Sequence, residues 1–221
     1  TLLVLASCLG TTGCFSFHQG PLPGEPKTAT YTKVDGVRVR YLDTEGAGAS
    51  SAKPTVVLVH GFASSLDVWA TVVPTLKTTH RVVALDLKGF GWSERPEGDY
   101  SPAAEARLVL GLMSQLGITR TSIVGHSWGT SVTLSAVLQA PEKFDRVALY
   151  DAWVYEEQLP SMFQLARAKG VGEFLFAAFY SERGEERLAN GFYDPEIIPE
   201  KLVEDVERAM ERPGTRAAAL E

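Results

Sequence analysis

The sequence predicts an α/β fold with a mostly parallel sheet and flanking helices. From residue 30 onward, short β-branched runs alternate with segments of helical periodicity, which is typical of strands joined by crossover helices. The run at 55–59 is continuously apolar after its first residue, as expected of a strand buried on both faces. With 221 residues, 45% of them hydrophobic, the chain has enough apolar material for one core.

The predicted elements follow from local signals along the chain. An opening hairpin is predicted at 31–34 and 37–42, because Asp-Gly at 35–36 separates two alternating strands. Ser101 as N-cap and Pro102 in the first turn open a helix that runs to about residue 116, where Gly117 ends it. The other predicted elements are strands at 55–59, 81–85, 122–124 and 146–150, a weak helix at 69–76 and a helix that ends near Gln139.

After Asp151 the pattern changes to helices, predicted at 158–168, 171–180, 185–189 and 200–210, with a further helix starting at Thr215. Aromatic residues recur there at helical spacing, namely Phe163, Phe174, Phe176, Phe179 and Tyr180. They are interpreted either as core contacts between stacked helices or as the inner face of a helical lid above an apolar pocket. We therefore divide the chain into an α/β core at 29–153 and a helical cap at 154–221.

Residues 1–28 are predicted to be an export leader and a linker. A short apolar run is followed by small residues, Gly and Pro, which is typical of a signal peptide and too short to span a bilayer. Leu-Ala-Ser-Cys ending at Cys8 resembles a bacterial lipobox, and Cys14 is a second candidate for lipidation. A plain secretory signal is the alternative. We expect an exported protein, either a lipoprotein of the cell envelope or a periplasmic or secreted protein, whose leader begins before Thr1.

Composition narrows the possible partners. The net charge of −6, with no block of Lys or Arg, argues against a nucleic-acid partner. The four histidines are scattered, and both cysteines lie within the first fourteen residues. We therefore expect neither a metal site nor a disulfide framework in the body of the protein. The expected partner is a small-molecule substrate, with no cofactor.

The most informative motif is Gly-His-Ser-Trp-Gly at 125–129, which reads as G-x-S-x-G between a predicted strand and a predicted helix. A nucleophile elbow has this context: a sharp turn projects the serine hydroxyl out of the sheet, and the next N–H and the helix N-terminus favour negative charge beside it. Ser127 is thus the candidate nucleophile. The chemistry also needs a histidine to accept the serine proton, and none follows His126 in this chain.

Two further motifs add to the elbow. His-Gly-Phe at 60–62 ends a predicted buried strand, and residues 86–96 read Asp-Leu-Lys-Gly-Phe-Gly-Trp-Ser-Glu-Arg-Pro. Together the three motifs resemble the α/β-hydrolase superfamily over roughly residues 30–212, and are similar to those of esterases, carbon–carbon hydrolases, haloalkane dehalogenases and epoxide hydrolases. Lys88 stands where proline or arginine is more usual. The resemblance implies a sixth strand that leads into a helical cap, followed by two last strands that are missing here, so we expect the chain to be incomplete at its C-terminal end.

The resemblance also implies roles for individual residues. The main-chain N–H groups of Phe62 and Trp128 are the expected oxyanion hole, and His60 and His126 are expected to be structural. Asp151 either orients the missing histidine or caps the turn that follows the strand. In most relatives the acid comes one strand later, which would place it beyond Glu221. No substrate-binding residue is predicted.

A serine nucleophile favours a carbonyl substrate, because it forms an acyl-enzyme where an aspartate would form an alkyl ester. The expected function is a serine hydrolase for a small, mostly apolar, ester-like substrate, with carbon–carbon hydrolysis or perhydrolysis as variants. The alternatives are a non-catalytic ligand-binding or interaction protein of the same fold, or a structural module of the envelope. We expect the 221 residues alone to be inactive and, because an apolar sheet edge is exposed, poorly soluble.

Overall fold

The computed structural model describes residues 16–46, 48, 52–158, 164–165, 171–172, 194, 196, 198 and 200–221. Across these ranges there are six strands: β1 (Thr30–Val34), β2 (Val37–Asp43), β3 (Thr55–Val59), β4 (Arg81–Leu85), β5 (Thr121–His126) and β6 (Phe144–Tyr150). They form one sheet in the order β1-β2-β4-β3-β5-β6. β1, β2 and β4 pair antiparallel, and β4, β3, β5 and β6 pair parallel. The predicted α/β fold with a mostly parallel sheet is confirmed.

The helices flank this sheet and include α1 (Val73–Leu76), α2 (Pro102–Gln115), α3 (Gly129–Gln139), α4 (Glu200–Met210) and α5 (Thr215–Leu220). The helix predicted at 69–76 is in fact two short pieces, a 3₁₀ turn at Leu66–Trp69 and α1. Pro74 explains the break, because it has no N–H to donate to the carbonyl of Ala70. Ser101 caps α2 as predicted, its side chain accepting from the N–H of Ala104 at 3.3 Å.

The core lies where α2 and α3 pack against the central strands. β4 is buried along its whole length, and β3 is buried from its second residue. The buried apolar side chains of this layer include Val57, Val59, Leu85, Leu112 and Ile123. Strands buried on both faces hold their carboxyl ends in fixed positions, and in an open α/β sheet that edge is where a site forms.

The N-terminal segment also lies against the core. The main chains of His18 and Arg95 exchange two hydrogen bonds, at 2.8 and 2.9 Å. The Glu94 carboxylate accepts from the N–H of Gly20 at 2.5 Å and from that of Arg38 at 2.7 Å. The part of the predicted linker from residue 16 onward is therefore bound to the fold, whereas the predicted leader, with Cys8 and Cys14, lies outside the described residues.

The predicted cap is described at its C-terminal end. α4 has the predicted bounds, and α5 begins at Thr215 as predicted. α5 packs on the core, since Thr215 Oγ1 accepts from Arg95 Nε at 2.9 Å and Ala217 and Ala218 are buried. The helices predicted at 158–168, 171–180 and 185–189, with the five aromatics named above, lie mostly or wholly outside the described residues. No helix in the described ranges is long and apolar enough to cross a membrane.

β6 forms one edge of the sheet. Within the described part of the chain no strand pairs with its second edge. Val147, Leu149 and Tyr150 are 41%, 39% and 67% exposed, so this edge strand exposes apolar side chains on both of its faces. Exposed apolar strand edges favour pairing with another strand.

Candidate active site

Ser127 occupies a strained turn between β5 and α3. Its φ is 51°, in the left-handed region that L-residues other than Asn and Asp rarely adopt. The turn is held because the N–H of Ser127 donates to the carbonyl of Tyr150 at 3.0 Å and its carbonyl accepts from the N–H of Thr130 at 2.9 Å. The residue is half-buried at the carboxyl end of β5. This is the geometry of a nucleophile elbow.

The two glycines of the motif are required by packing. A Cβ on Gly129 would lie 2.3 Å from the carbonyl oxygen of His60, and one on Gly125 would lie 2.5 Å from Thr133 Oγ1 and 2.7 Å from the carbonyl oxygen of Gly129. No side chain fits at either position, so α3 can start immediately against β3 and β5. This close approach points the N-terminus of α3 at the turn that carries Ser127.

Thr130 fastens the turn to the segment after β6. Its hydroxyl donates to the carbonyl of Ser127 at 2.6 Å and accepts from the N–H of Trp153 at 3.0 Å. Sequence reasoning missed this residue, because a threonine in the first turn of a helix is common and its partner lies 23 positions away.

The loop after β3 runs directly beside Ser127. A Cβ on Gly61 would lie 2.9 Å from Ser127 Cβ and 3.2 Å from the carbonyl oxygen of His126. Phe62 follows, and its ring packs edge-on against that of Trp128 with a centroid distance of 6.5 Å. Among the described residues, none accepts a hydrogen bond from the N–H of Trp128. The two predicted oxyanion residues thus flank the serine on neighbouring loops.

Asp86 joins this loop to the one after β4. It is fully buried, and its two carboxylate oxygens accept from the N–H groups of Leu66 and Trp92, each at 2.7 Å. Arg40 Nη1 lies 3.4 Å from Asp86 and forms a closer pair with Asp67 at 2.7 Å. Gly91 has a φ of 50°, and a Cβ there would lie 2.1 Å from Asp86 Cγ. The carboxylate therefore fixes both loops relative to each other.

We expect Asp86→Asn to destabilise the protein by about 2–4 kcal/mol. The amide can accept through one oxygen only, so its NH₂ group would face one of the two main-chain N–H groups in a buried site. Urea unfolding measures the change. Asp67→Asn is the matched control, since Asp67 is exposed and is expected to cost less than about 1 kcal/mol; equal losses in the two variants would contradict the assigned role of Asp86.

His60 has both ring nitrogens engaged by the main chain. Nε2 accepts from the N–H of Leu87 at 3.0 Å, so Nδ1 carries the proton and donates to the carbonyl of Gly61 at 2.7 Å. Burial lowers the pKa of His60, against the opposing effect of Asp86. The neutral ring has no lone pair left for the serine proton, and it orders the loop instead.

His126 packs among aromatic rings. Its ring lies 5.5 Å from that of Tyr150 and 6.4 Å, edge-on, from that of Trp69. Its buried Nδ1 has no hydrogen-bond partner in the described structure. Burial lowers the pKa of His126, and the nearby Asp151 partly opposes this effect.

Asp151 lies next to the elbow on the neighbouring strand. His126 pairs with Tyr150, so the residues that follow them, Ser127 and Asp151, come at the same edge of adjacent strands, about 5 Å apart in a sheet. Asp151 is exposed and has a φ of 49°, which marks a turn. This position is compatible with either role predicted for it, the acid of the site or the cap of the turn.

Lys88, the departure from the family pattern, is a buried structural residue. Its ammonium group donates to the carbonyl of Asp99 at 2.5 Å and lies 4.3 Å from the ring centroid of Tyr100. Its main-chain N–H donates to Glu105 Oε2 at 3.0 Å. Glu105 is fully buried at the start of α2, and burial raises its pKa to about 8, although Lys88 opposes the shift.

This raised pKa predicts a pH-dependent stability. Between the ordinary pKa of 4.5 and about 8, the folded protein holds a proton that the unfolded chain has released. The contribution of Glu105 to the free energy of unfolding therefore falls as pH rises through this window, by about 2–4 kcal/mol in total. We expect Glu105→Gln to flatten this dependence in urea unfolding at pH 5 and pH 8. Glu97→Gln, at an exposed position, is expected to keep the wild-type slope; a wild-type slope in Glu105→Gln would contradict the prediction.

No group of three His, Cys, Asp or Glu side chains in the described ranges is arranged to hold a metal ion.

Comparisons with known proteins agree with the fold described above. Residues 54–188 match the family model described as the alpha/beta hydrolase fold. The chain is 32% identical over 173 residues to the uncharacterized hydrolase YugF of Bacillus subtilis, covering 77% of this chain and 62% of that protein. It is 29% identical over 181 residues to the 2-hydroxy-6-oxo-2,4-heptadienoate hydrolase of Pseudomonas putida, covering 74% and 58% respectively.

A solved structure, that of Cfl2 from Burkholderia cenocepacia, superposes with a TM-score of 0.77 at 27% identity, covering 91% of this chain and 73% of that one. The chain spans less than two thirds of the length of the two relatives compared by sequence.

Proposed function

The chain belongs to the alpha/beta-hydrolase fold family, and within that family we propose that the protein is a serine hydrolase that cleaves a small, mostly apolar, ester-like substrate. The observation that carries the proposal is the position of Ser127, strained at a φ of 51° with Gly61 against its Cβ and the N–H of Trp128 beside it. Such strain is retained where function needs it. The oxygen of Ser127 attacks the substrate carbonyl, and the N–H groups of Phe62 and Trp128 stabilise the oxyanion that forms.

The serine proton must pass to a base that is not one of the described histidines beside the turn. His60 has no free nitrogen, and His126 belongs to the aromatic packing behind the turn. We therefore propose that the base is a histidine outside the 221 residues, and that these residues expressed alone have little or no turnover. Asp151 is the proposed acid of the site, by its place on the strand next to Ser127.

The substrate class is proposed from the ring cluster beside the serine. The rings of Phe62, Phe90 and Trp128 contact one another with centroid distances of 5.4, 5.8 and 6.5 Å. Phe62 and Trp128 are only partly buried, so this cluster presents apolar surface next to the nucleophile. Apolar surface at a reactive serine favours an apolar acyl or alcohol group.

The test is covalent labelling. The complete natural protein is treated with a fluorophosphonate, and the labelled residue is identified by mass spectrometry. We expect one label, on Ser127, and none on Ser127→Ala, while Ser135→Ala, also on α3, labels like wild type. A folded wild-type protein that takes no label would overturn the proposal and favour the non-catalytic, ligand-binding alternative.

Export and attachment to a membrane are proposed on the sequence pattern of residues 1–14 alone. Metabolic labelling with palmitate in a bacterial host distinguishes the candidates: loss of label in Cys8→Ala assigns Cys8, and loss in Cys14→Ala assigns Cys14. Labelling that survives both substitutions, or no labelling of wild type, would refute lipidation at these positions.

A further inference from the structure

We propose that Arg212 is a positioning residue for the reaction at Ser127. It holds the loop at residues 89–92, and that loop in turn fixes the two loops whose main-chain amides form the oxyanion hole. The inference rests on the proposed function, because it assigns a role to Arg212 in the same reaction.

Arg212 makes two contacts with this loop. Its guanidinium stacks on the ring of Trp92, with Cζ 3.5 Å from the ring centroid, and its Nη1 donates to the carbonyl of Gly91 at 2.9 Å. Arg212 follows α4 by two residues, so it connects the end of the helical segment to the sheet edge that carries the site. A planar guanidinium lies flat on the indole ring while one of its N–H groups donates in its own plane, and a tetrahedral ammonium group cannot form such a face-to-face stack.

One path leads from this loop to the oxyanion loop through Asp86. The N–H of Trp92 donates to one carboxylate oxygen of Asp86, and the N–H of Leu66 donates to the other, each at 2.7 Å. Because a Cβ on Gly91 would overlap Asp86, the main chain of the loop packs directly against the carboxylate. A displacement of residues 91–92 is therefore transmitted through Asp86 to Leu66. Leu66 lies at the end of the loop that contains Gly61 and Phe62.

A second path passes through Phe90, which is buried. Its ring contacts that of Phe62 at 5.4 Å and that of Trp128 at 5.8 Å between centroids. Phe62 and Trp128 carry the two N–H groups proposed to bind the oxyanion. A shift of Phe90 by a fraction of an ångström changes the direction of both donors, and catalysis is sensitive to such displacements.

Arg95 explains why this role is one of positioning and not of folding. Arg95 is fully buried, and it donates to the carbonyl of Gly91 at 2.8 Å and to that of Ser93 at 2.5 Å. The loop therefore keeps its fold without Arg212. Arg212 is a second donor to the same carbonyl, is half-buried, and restrains the side of the loop that holds Trp92.

The test uses the complete natural protein with p-nitrophenyl butyrate as substrate and butaneboronic acid as a tetrahedral analogue. We expect Arg212→Met to lower kcat at least about tenfold with KM changed less than about twofold. The inhibition constant of the boronic acid should rise by the same factor as kcat/KM falls. Arg208→Met is the matched control, because Arg208 is an exposed residue of α4 paired only with Glu204 and Asp205 among the described residues; it should match wild type.

Two further variants complete the test. Trp92→Leu should lower kcat similarly, and adding it to Arg212→Met should cost little more, because the two residues act through one contact. If Arg212→Met does not fold, Arg212→Lys is measured in its place, and we expect the same fall in kcat at constant KM.

The outcomes separate this inference from the proposed function. Activity that survives in Ser127→Ala would overturn the proposed function and with it the role of Arg212. If Ser127→Ala is inactive but the Arg212 variants keep the wild-type kcat, or lose activity only in proportion to a loss of folded protein, the role of Arg212 alone is overturned.

Discussion

Replacing Ser127 with alanine is expected to lower kcat/KM by at least about 10⁴-fold in the complete natural protein, with the fold unchanged. The substitution removes the oxygen that is proposed to form the acyl-enzyme, so the residual rate would come from substrate binding and from the proposed oxyanion amides. Alanine tolerates the turn as poorly as serine does, at a φ of 51°, so the stability should change by less than about 1 kcal/mol. Steady-state hydrolysis of p-nitrophenyl butyrate and thermal unfolding measure the two quantities.

The control for this variant is Ser135→Ala, which changes the same residue type eight positions later in the chain, within α3. It should keep the wild-type kcat/KM within about twofold, as expected of a substitution away from the site. Turnover by Ser127→Ala within tenfold of wild type would show that another group performs the attack, and would end the case for an acyl-enzyme at this position.

Gly129→Ala is expected to destabilise the protein by more than about 3 kcal/mol or to prevent folding. The new methyl group would lie 2.3 Å from the carbonyl oxygen of His60 and 2.8 Å from that of Val59, both of them main-chain atoms that cannot turn away. Relief requires α3 to move off β3, which separates the layers of a close-packed core. Urea unfolding, or the soluble yield where folding fails, measures the effect.

Gly46→Ala separates this steric effect from the general cost of replacing glycine. At residue 46 a new Cβ meets no atom within 4 Å, and the only penalty is a φ of 82°. That variant should lose about 1–2 kcal/mol. A Gly129→Ala protein no less stable than Gly46→Ala would contradict the packing described between α3 and β3.

The fold and the centre of the site were predictable from sequence because their signals are local. A strand, a two-residue turn and a helix lie within about twenty positions around Ser127. At positions 125 and 129 only glycine fits, because a Cβ would overlap neighbouring atoms. The apolar runs of β3 and β4 likewise predict strands that are buried on both faces of the sheet. The strand that precedes the turn is predicted at 122–124 and is longer in the structure. Gly125 and His126 have weak strand propensity, and they belong to β5 because they pair with Leu149 and Tyr150 of β6.

The residues that position the loops of the site were not predictable from sequence, because each acts through a hydrogen bond to a residue far away in the sequence. Arg212 donates to Gly91 across 121 positions, and Arg95 to Thr215 across 120. Asp86 was visible as part of a motif, but nothing in that motif shows that its two oxygens hold separate loops. A residue's periodicity and neighbours carry no information about contacts of this kind, so the partners of a site are found only in the folded chain.

The hydrogen bonds that join His18 to Arg95 and Gly20 to Glu94 have a practical consequence for handling the protein. They lie beside the N-terminal half of β2, which extends beyond the carboxyl end of β4, so His18 and Gly20 lie toward the same edge of the sheet as Ser127. A purification tag or fluorescent fusion joined directly ahead of residue 16 would begin near the edge where the proposed substrate site lies, and would compete with substrate for space. Assays should therefore use protein whose upstream tag has been removed. The cleavage site should lie far enough before residue 16 to leave these hydrogen bonds intact.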